Sequence, residues 1–224
     1  MQHKLIVFDW DGTLMDSEAR IVACMRKSIA DLNFPERSDN EIKNIIGLGL
    51  REAVITLFDE LTENDYQALV DRYRYHFLTG DKTPSLLFDG VKELLNKLLD
   101  RGHFLAVATG KARRGLDRVL DETDLRIVFH ATRCADECFS KPHPQMLEEI
   151  MDELGMAPAE TLMVGDTEYD LMMANNAGTQ SLAVSYGVHS RQRLLDCGPL
   201  GIVDTVSQLT DRLLNPDFAQ TADI

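Results

Sequence analysis

Short apolar runs, each ending at a polar residue and followed by a helical pattern, constrain the fold of this chain most. The runs are residues 5–8, 104–108, 127–129, 161–164, 181–184 and 202–203. Because each run is apolar on both of its faces, the pattern predicts strands buried on both sides, as in a parallel sheet covered by helices. The connecting segments are long enough for right-handed helical crossovers. We therefore expect an open α/β sandwich.

One connection is too long to be a simple crossover. Between Leu14 and Phe88 the sequence runs for about 70 residues without a convincing strand. Apolar residues recur there at helical spacing, and Ser38 with Glu41, or else Asp39, could cap one helix. We predict an α/β core at 1–14 and 84–224, with a Rossmann-like three-layer architecture, and an inserted four-helix cap at 15–83.

Charge and cysteine usage limit the partners of the protein. The chain has 23 basic and 37 acidic residues, a net charge of −14, which argues against binding nucleic acid or an anionic membrane surface. No apolar run reaches the length of a membrane span, and the N-terminal run is too short for a secretion signal. The four scattered cysteines predict reduced thiols in a cytoplasmic protein, which we expect to be a monomer or a homodimer.

The residues that follow the apolar runs carry the candidate chemistry, because ligands of open α/β sheets bind beyond the carboxyl ends of the strands. Lys141 lies on a loop downstream of the third run. The segments after the first, second and fourth runs are Asp9-Trp10-Asp11-Gly12-Thr13, Thr109-Gly110-Lys111 and Gly165-Asp166-Thr167-Glu168-Tyr169-Asp170. We expect these residues to meet at one edge of the sheet.

This set suits phosphoryl transfer to a carboxylate. Asp9, at the end of a strand, could attack phosphorus and form an aspartyl-phosphate. Asp11 should lie on the same side of the chain, nearer the cap, where it could protonate the leaving oxygen and later deprotonate water. Gly12 permits the sharp turn after the strand, and N–H groups there could meet phosphate oxygens.

A cation must offset the carboxylates next to a phosphate. Asp9 and Asp166, with a main-chain carbonyl, offer the sparse oxygen set that Mg²⁺ favours. Thr109 and Lys141 could bind the equatorial oxygens of the transferring group, and we include Gly110 among the predicted phosphate-binding residues. Asp170, one helical turn after Asp166, could hold Lys141 or a metal-bound water.

Four segments in order resemble the motifs of the haloacid dehalogenase-like hydrolases, and within them the phosphoglycolate phosphatase-like subgroup with a helical cap. The resemblance covers about residues 4–214 and rests on Asp9-Trp10-Asp11-Gly12-Thr13-Leu14, Val107-Ala108-Thr109-Gly110-Lys111, Ser140-Lys141-Pro142-His143-Pro144 and Gly165-Asp166-Thr167-Glu168-Tyr169-Asp170.

The resemblance implies a role for each matching residue. It implies Asp9 as nucleophile, Asp11 as acid/base, and Thr109 and Lys141 as phosphate ligands. It also implies Mg²⁺ held by Asp9, Asp166 and the carbonyl of Asp11. Asp170 would be a metal ligand, either directly or through water.

Several residues near these motifs have two interpretations. The segment Gly47-Leu48-Gly49-Leu50-Arg51 resembles a loop that family members lower over the active site, so Arg51 could contact the non-phosphate end of a substrate. A plain turn with a solvated arginine fits equally well. His143 could cap a helix or touch the ligand. Lys111 fits a solvated residue in the first turn of a helix.

The function predicted from these residues is a Mg²⁺-dependent phosphatase that hydrolyses a small phosphorylated metabolite through an aspartyl-phosphate. A β-phosphoglucomutase-like phosphotransferase is an alternative, because its core motifs are nearly the same. A phospho-aspartate regulatory module without turnover is another, although Asp11 argues against it. Asp11 and Asp166 disfavour a dehalogenase. A phosphonate hydrolase of this fold would use a Schiff-base lysine from the first half of the cap; Lys27 and Lys43 lie there, but neither is in the Gly47–Gly49 loop. The identity of the phosphate ester stays open.

Overall fold

A six-stranded parallel sheet forms the centre of the molecule. The computed structural model describes residues 3–215. In chain order the strands are β1 Leu5–Phe8, β2 Met15–Asp16, β3 Leu86–Leu87, β4 Phe104–Thr109, β5 Ala131–Cys134, β6 Thr161–Gly165, β7 Gln180–Val184 and β8 Ile202–Val203. The parallel sheet has the order β5-β4-β1-β6-β7-β8, and β2 pairs only with β3.

Helices cover both faces of this sheet and build the insertion. They are α1 Glu18–Asp31, α2 Asp39–Asn44, α3 Leu50–Leu57, α4 Glu63–Tyr75, α5 Val91–Asp100, α6 Arg113–Thr123, α7 Gln145–Leu154, α8 Glu168–Asn176, α9 Arg191–Asp196 and α10 Val206–Leu214. A π-helical turn, His76–Gly80, continues α4. The predicted three-layer α/β fold with a helical insertion is confirmed.

Strand β1 is the central element, with β4 on one side and β6 on the other. Leu5 is in register with both Phe104 and Thr161, so the three strands run parallel with their carboxyl ends at the same edge. All four residues of β1 are buried. Burial on both faces explains why this strand was readable as a continuous apolar run.

The third predicted strand was wrong in position. Residues Arg126–Val128 form a 3₁₀ turn, in which Ile127 is 94% exposed, and the strand is β5, which follows it. Strand β5 lies at the edge of the sheet, and Arg113 binds its Thr132 hydroxyl at 2.8 Å. Because β5 is an edge strand with polar contacts, its residues need not be apolar on both faces. Its sequence therefore lacks the continuous apolar run that marks the buried strands.

The four helices between β2 and β3 form the cap and have a hydrophobic cluster of their own. Ile42, Val54 and Leu69 are buried in this cluster, which is separate from the clusters that pack on the sheet. The Ser38–Glu41 capping box begins α2. The domain boundaries at 14/15 and 83/84 stay a prediction, and the short β2–β3 ladder lies beside both of them.

The described residues also bear on membranes and disulfides. Among residues 3–215, no helix is both long and apolar enough to span a bilayer. All four cysteines are free. The C-terminal segment 216–224, which we expected to fray, lies outside the described residues.

A substitution at Leu98 tests the hydrophobic core between α5 and the sheet. Its side chain on α5 is fully buried, so Leu98→Ala should lower the free energy of unfolding by ~2–5 kcal/mol in urea titrations. Leu195→Ala on α9, at a position that is 50% exposed, is the matched control and should change stability by less than ~1 kcal/mol. Equal effects of the two substitutions would contradict this description of the core.

Candidate active site

Three strand ends bring buried polar side chains together. Asp9 directly follows β1, Thr109 ends β4 and Asp166 directly follows β6. Each of the three is at most 1% exposed. The parallel register of β1, β4 and β6 places these residues at one edge of the sheet, as expected for the ligand-binding edge of an open α/β fold.

The Lys141 ammonium lies between two of the buried carboxylates. Its Nζ is 2.7 Å from Asp9 Oδ1 and 2.6 Å from Asp170 Oδ1. Burial alone would lower the pKa of Lys141, but the carboxylates of Asp170 and Asp9 outweigh that effect and raise it. Lys141 is therefore a permanent cation in the site.

Asp170 is held by the start of its own helix. Its Oδ2 accepts hydrogen bonds from the Thr167 hydroxyl at 2.7 Å and from the Thr167 N–H at 3.1 Å, in a reciprocal capping box. Both Asp170 oxygens thus have partners, because Oδ1 binds Lys141. Of the two roles predicted for Asp170, holding Lys141 is the one that these contacts show.

The side-chain carboxylate of Asp166 accepts hydrogen bonds from two donors, and that of Asp9 accepts one, from Lys141. Asp166 Oδ1 accepts from the Thr13 hydroxyl at 2.9 Å, and its Oδ2 accepts from the Val188 N–H at 2.8 Å. Asp9 Oδ2, in contrast, is buried and has no hydrogen-bond partner among the described residues. An orphaned carboxylate oxygen is costly, so it points to a missing ligand.

The residues present fit a divalent cation. Oxygens of Asp9, Asp166 and Asp170 all lie within 4.8 Å of one another. With all three carboxylates ionised, the cluster and the one ammonium would carry a local charge of about −2. Burial is the largest cause that raises the pKa of Asp9 to about 7, with repulsion from Asp170 and Asp11 adding to it. Burial and repulsion by Asp9 likewise raise the pKa of Asp166. An all-oxygen donor set of this charge suits Mg²⁺.

Asp11 lies on the cap side of Asp9 and has different partners. Its Oδ1 accepts from the Ser17 hydroxyl at 2.5 Å and is 2.9 Å from Lys111 Nζ. Lys111 is therefore a buried partner of Asp11, with a side chain only 7% exposed, and not the solvated residue that we expected. The expectation failed because the cap covers the first turn after β4.

Gly12 turns the chain in the left-handed region, with φ of +82°. Its N–H donates to the Met15 carbonyl at 2.8 Å. This donor is therefore already used inside the turn, and the phosphate-binding role of Gly12 stays a prediction. A Cβ at Gly12 would overlap the carboxylate of Asp166, so the residue is required by close approach as well as by its φ.

The cap loop closes over Thr109 and Gly110. The Thr109 hydroxyl accepts from the Lys111 N–H at 3.2 Å. A Cβ at Gly110 would overlap the carbonyl oxygens of Gly47 and Leu48, which belong to the cap. The Gly49 N–H donates to Ser140 Oγ at 2.7 Å and thereby fixes the loop beside the Lys141 segment.

Arg51 and His143 have different surroundings in the structure. Arg51 lines a cavity beneath the cap, lies 4.9 Å from the Tyr66 ring centroid and is 3.8 Å from Glu63. His143 Nδ1 accepts from the Gln145 N–H at 3.2 Å, at the start of α7. The contact of His143 is that of a helix cap, whereas Arg51 is placed where a ligand could reach it.

The cavity connects the catalytic edge to the cap. It has a volume of about 610 Å³, and both Asp9 and Asp11 line it. A family model described as haloacid dehalogenase-like hydrolase matches residues 6–184. The chain belongs to the haloacid dehalogenase-like hydrolase family.

Relatives of this hydrolase carry phosphatase names. A Dickeya dadantii protein named "Probable phosphatase IndB" is 36% identical over 209 residues, covering 92% of this chain and 91% of that protein. A Haemophilus influenzae phosphoglycolate phosphatase is 28% identical over 93% of this chain and 97% of its own length. A crystal structure titled as a predicted phosphatase from Clostridium acetobutylicum has a TM-score of 0.85 at 26% identity, covering 96% of this chain and 99% of that one. The names agree with the predicted phosphatase class.

Sequence reasoning missed several residues that support the hydrolase site. Gly187 packs so closely on Asp166 that a Cβ there would overlap the carboxylate, and the next residue, Val188, donates its N–H to it. These residues follow β7, so inspecting that strand end in the same way as the others would have found them. Thr13 and Ser17 have no such signal in the sequence. The partner of Thr13, Asp166, is distant along the chain, and the contact of Ser17 with Asp11 is set by the turn between them.

The carboxylate cluster predicts a pH-dependent response to Mg²⁺. Without metal, folded Asp9 holds a proton between pH 3.8 and about 7 that the unfolded chain has released, so its contribution to stability falls as pH rises through this window. Mg²⁺ at a hundredfold excess over its Kd at about pH 8 should stabilise the protein by ~3 kcal/mol, and the same Mg²⁺ concentration should stabilise it less at about pH 6, where the proton on Asp9 competes with the metal. Thermal unfolding with and without the metal measures both effects.

Asp166→Asn should remove most of that stabilisation by Mg²⁺, and exposed Asp211→Asn on α10 is the control that should retain it. A Tm that Mg²⁺ leaves unchanged in the wild type would contradict the assignment of this cluster as a metal site.

Gly187 gives an independent test of the geometry around Asp166. Gly187→Ala should displace the Asp166 carboxylate and weaken Mg²⁺ binding by at least ~tenfold, as measured by calorimetry. Gly201→Ala is the matched control, because its Cβ would meet only Leu182 at an ordinary 3.9 Å. Equal Mg²⁺ affinities for the two variants would show that close packing at Gly187 does not position Asp166.

Proposed function

We propose that this hydrolase is a Mg²⁺-dependent phosphatase that hydrolyses a small phosphomonoester through an aspartyl-phosphate on Asp9. The observation that carries this proposal is Asp9 Oδ2, a buried carboxylate oxygen that has no hydrogen-bond partner among residues 3–215 and belongs to a residue lining the cavity beneath the cap. Lys141 engages only the other oxygen, Oδ1. One oxygen of Asp9 is thus anchored and the other is available for attack.

In the first step Asp9 Oδ2 attacks phosphorus and the bond from phosphorus to the leaving oxygen breaks. Asp11 donates its proton to that oxygen, so an alcohol departs and phosphate stays on Asp9. Asp11 is suited to this because its carboxylate lies on the cap side, oriented by Ser17 and Lys111. In the second step Asp11 takes a proton from water, which attacks phosphorus and releases phosphate and free Asp9.

Lys141 and Thr109 complete the phosphate site. The Lys141 ammonium, fixed by Asp170 and Asp9, supplies a permanent charge beside the transferring group. Thr109 ends β4, on the side of β1 opposite β6, and its hydroxyl would bind the phosphate. Gly110 is the next residue. Both residues are rigidly held, so little reorganisation is needed when charge develops on the phosphoryl oxygens.

Asp9, Asp166 and the carbonyl of Asp11 would hold Mg²⁺, with Asp170 linked through Lys141 or through water. When bound, the ion supplies charge neutralisation and Lewis-acid polarisation of the phosphoryl group. Asp166 contributes by its fixed orientation, since Thr13 and Val188 hold both of its oxygens.

We further propose that the cap, residues 15–83, selects the ester, and that the enzyme acts in the cytoplasm as a monomer or homodimer. The phosphatase names of the relatives and the family match support a small phosphorylated substrate. A net charge of −14 supports the absence of a nucleic-acid partner.

Turnover of phosphate esters tests the proposal. Free phosphate should be released with Mg²⁺ and not with chelator; Asp9→Asn should abolish turnover, and Asp11→Asn should lower kcat by ~10²–10⁴-fold. The Asp211→Asn control should retain full activity. Isomerisation of a sugar phosphate without net phosphate release would instead indicate a mutase, and a stable phosphorylated protein in intact mass spectra would indicate a regulatory module.

A further inference from the structure

The cavity beneath the cap is much larger than a phosphate group. Its volume of about 610 Å³ lies within the ~300–1,000 Å³ range of sites for drug-sized ligands. At ~30 Å³ per water molecule, it would accommodate roughly 20 waters. A two-carbon leaving group such as glycolate would leave most of this space to solvent.

Most of the cap residues in the cavity wall have apolar or aromatic side chains. Among them are Ile21, Met25, Ile46, Tyr66, Tyr73 and Phe77. Water bound against such a wall is poorly hydrogen-bonded, so an apolar or ring-bearing group gains affinity by displacing it. The wall therefore favours a leaving group with an apolar surface over a compact polar one.

The aromatic part of the wall begins next to the predicted acid/base. Lys111 Nζ is 2.9 Å from Asp11 and 4.9 Å from the Phe77 ring centroid. Phe77 in turn stacks on Tyr73, with ring centroids 5.7 Å apart. Because the leaving oxygen must lie beside Asp11, the group attached to it would extend along these two rings.

Two tyrosines add hydroxyl groups to the cap side of the same cavity. Tyr66 and Tyr73, which both line the cavity, each carry a hydroxyl group that can donate and accept a hydrogen bond. A ring-bearing ligand with hydroxyl or amide groups could use both the ring faces and these hydroxyls. A plain hydrocarbon could not.

The cations of the cavity are mostly committed to acids. Lys111 pairs with Asp11, Arg51 with Glu63 at 3.8 Å, and Arg74 with Asp71 at 3.6 Å. Arg114, the fourth cation of the lining, is exposed to solvent. The interior thus offers no buried unpaired cation to a small carboxylate such as that of glycolate phosphate.

We propose that the substrate is a phosphomonoester whose leaving alcohol carries an aromatic or heteroaromatic ring, of the size of a nucleoside monophosphate. The ring occupies the wall formed by Tyr66, Tyr73 and Phe77, and the phosphate lies at Asp9. This inference rests on the proposed function, since it assigns the leaving group of the same reaction.

The decisive experiment compares kcat/KM with Mg²⁺ for glycolate phosphate, glucose 6-phosphate, and a purine and a pyrimidine nucleoside 5′-monophosphate. We expect at least one nucleotide to exceed both other esters by ~tenfold or more, as the burial of a ring predicts. A preference for glycolate phosphate or glucose 6-phosphate overturns the inference and leaves the phosphatase intact. Absence of phosphate release from every ester overturns the proposed function itself.

Variants of α4 test the location of the ring. Tyr66→Ala should lower kcat/KM for the preferred nucleotide by ~tenfold, mainly through KM, and should change the value for glycolate phosphate by less than ~twofold. Tyr75→Ala is the matched control, because Tyr75 is on the same helix, 55% exposed and outside the cavity lining. Tyr66→Leu keeps apolar volume without a ring and decides the question if Tyr66→Ala does not fold. An unchanged KM in a folded Tyr66 variant overturns the placement.

Discussion

The buried contact of the Lys141 ammonium with Asp9 and Asp170 is the interaction on which the rest of the site depends. A buried carboxylate is tolerated only when it is paired, and here one lysine neutralises part of a cluster of three. Lys141 binds Asp9 Oδ1, and Asp9 Oδ2 has no hydrogen-bond partner within the part of the chain that the structure describes. The same contact thus offsets part of the negative charge of the cluster and engages one oxygen of the predicted nucleophile.

Close backbone packing then fixes the metal-ligand candidate on the other side of Asp9. Asp166 is enclosed by Gly12 and Gly187, and Thr13 and the Val188 N–H orient its two oxygens. Side chains larger than hydrogen at either glycine would displace the carboxylate. Rigid placement matters in phosphoryl transfer because catalysis relies on positioning and charge more than on covalent chemistry.

The cap determines what surrounds the leaving group. Contacts such as Gly49 with Ser140, and Lys111 with Phe77, join it to the core, so the acid/base and the aromatic wall lie side by side. In the function that we propose, the core carries out the reaction and the cap supplies most of the residues that line the cavity around the leaving group.

The sequence by itself determined the fold class, the helical insertion and which residues lie at strand ends, because periodicity and turn chemistry are local. The strand-end rule predicted Asp9, Thr109, Lys141 and Asp166 at one edge. Tertiary structure alone decided which oxygens are satisfied, that the Gly12 N–H is used within its turn, that Lys111 is buried against Asp11 and that β5 begins at Ala131. These features depend on contacts between distant segments and on an edge position in the sheet, for which local pattern carries no signal.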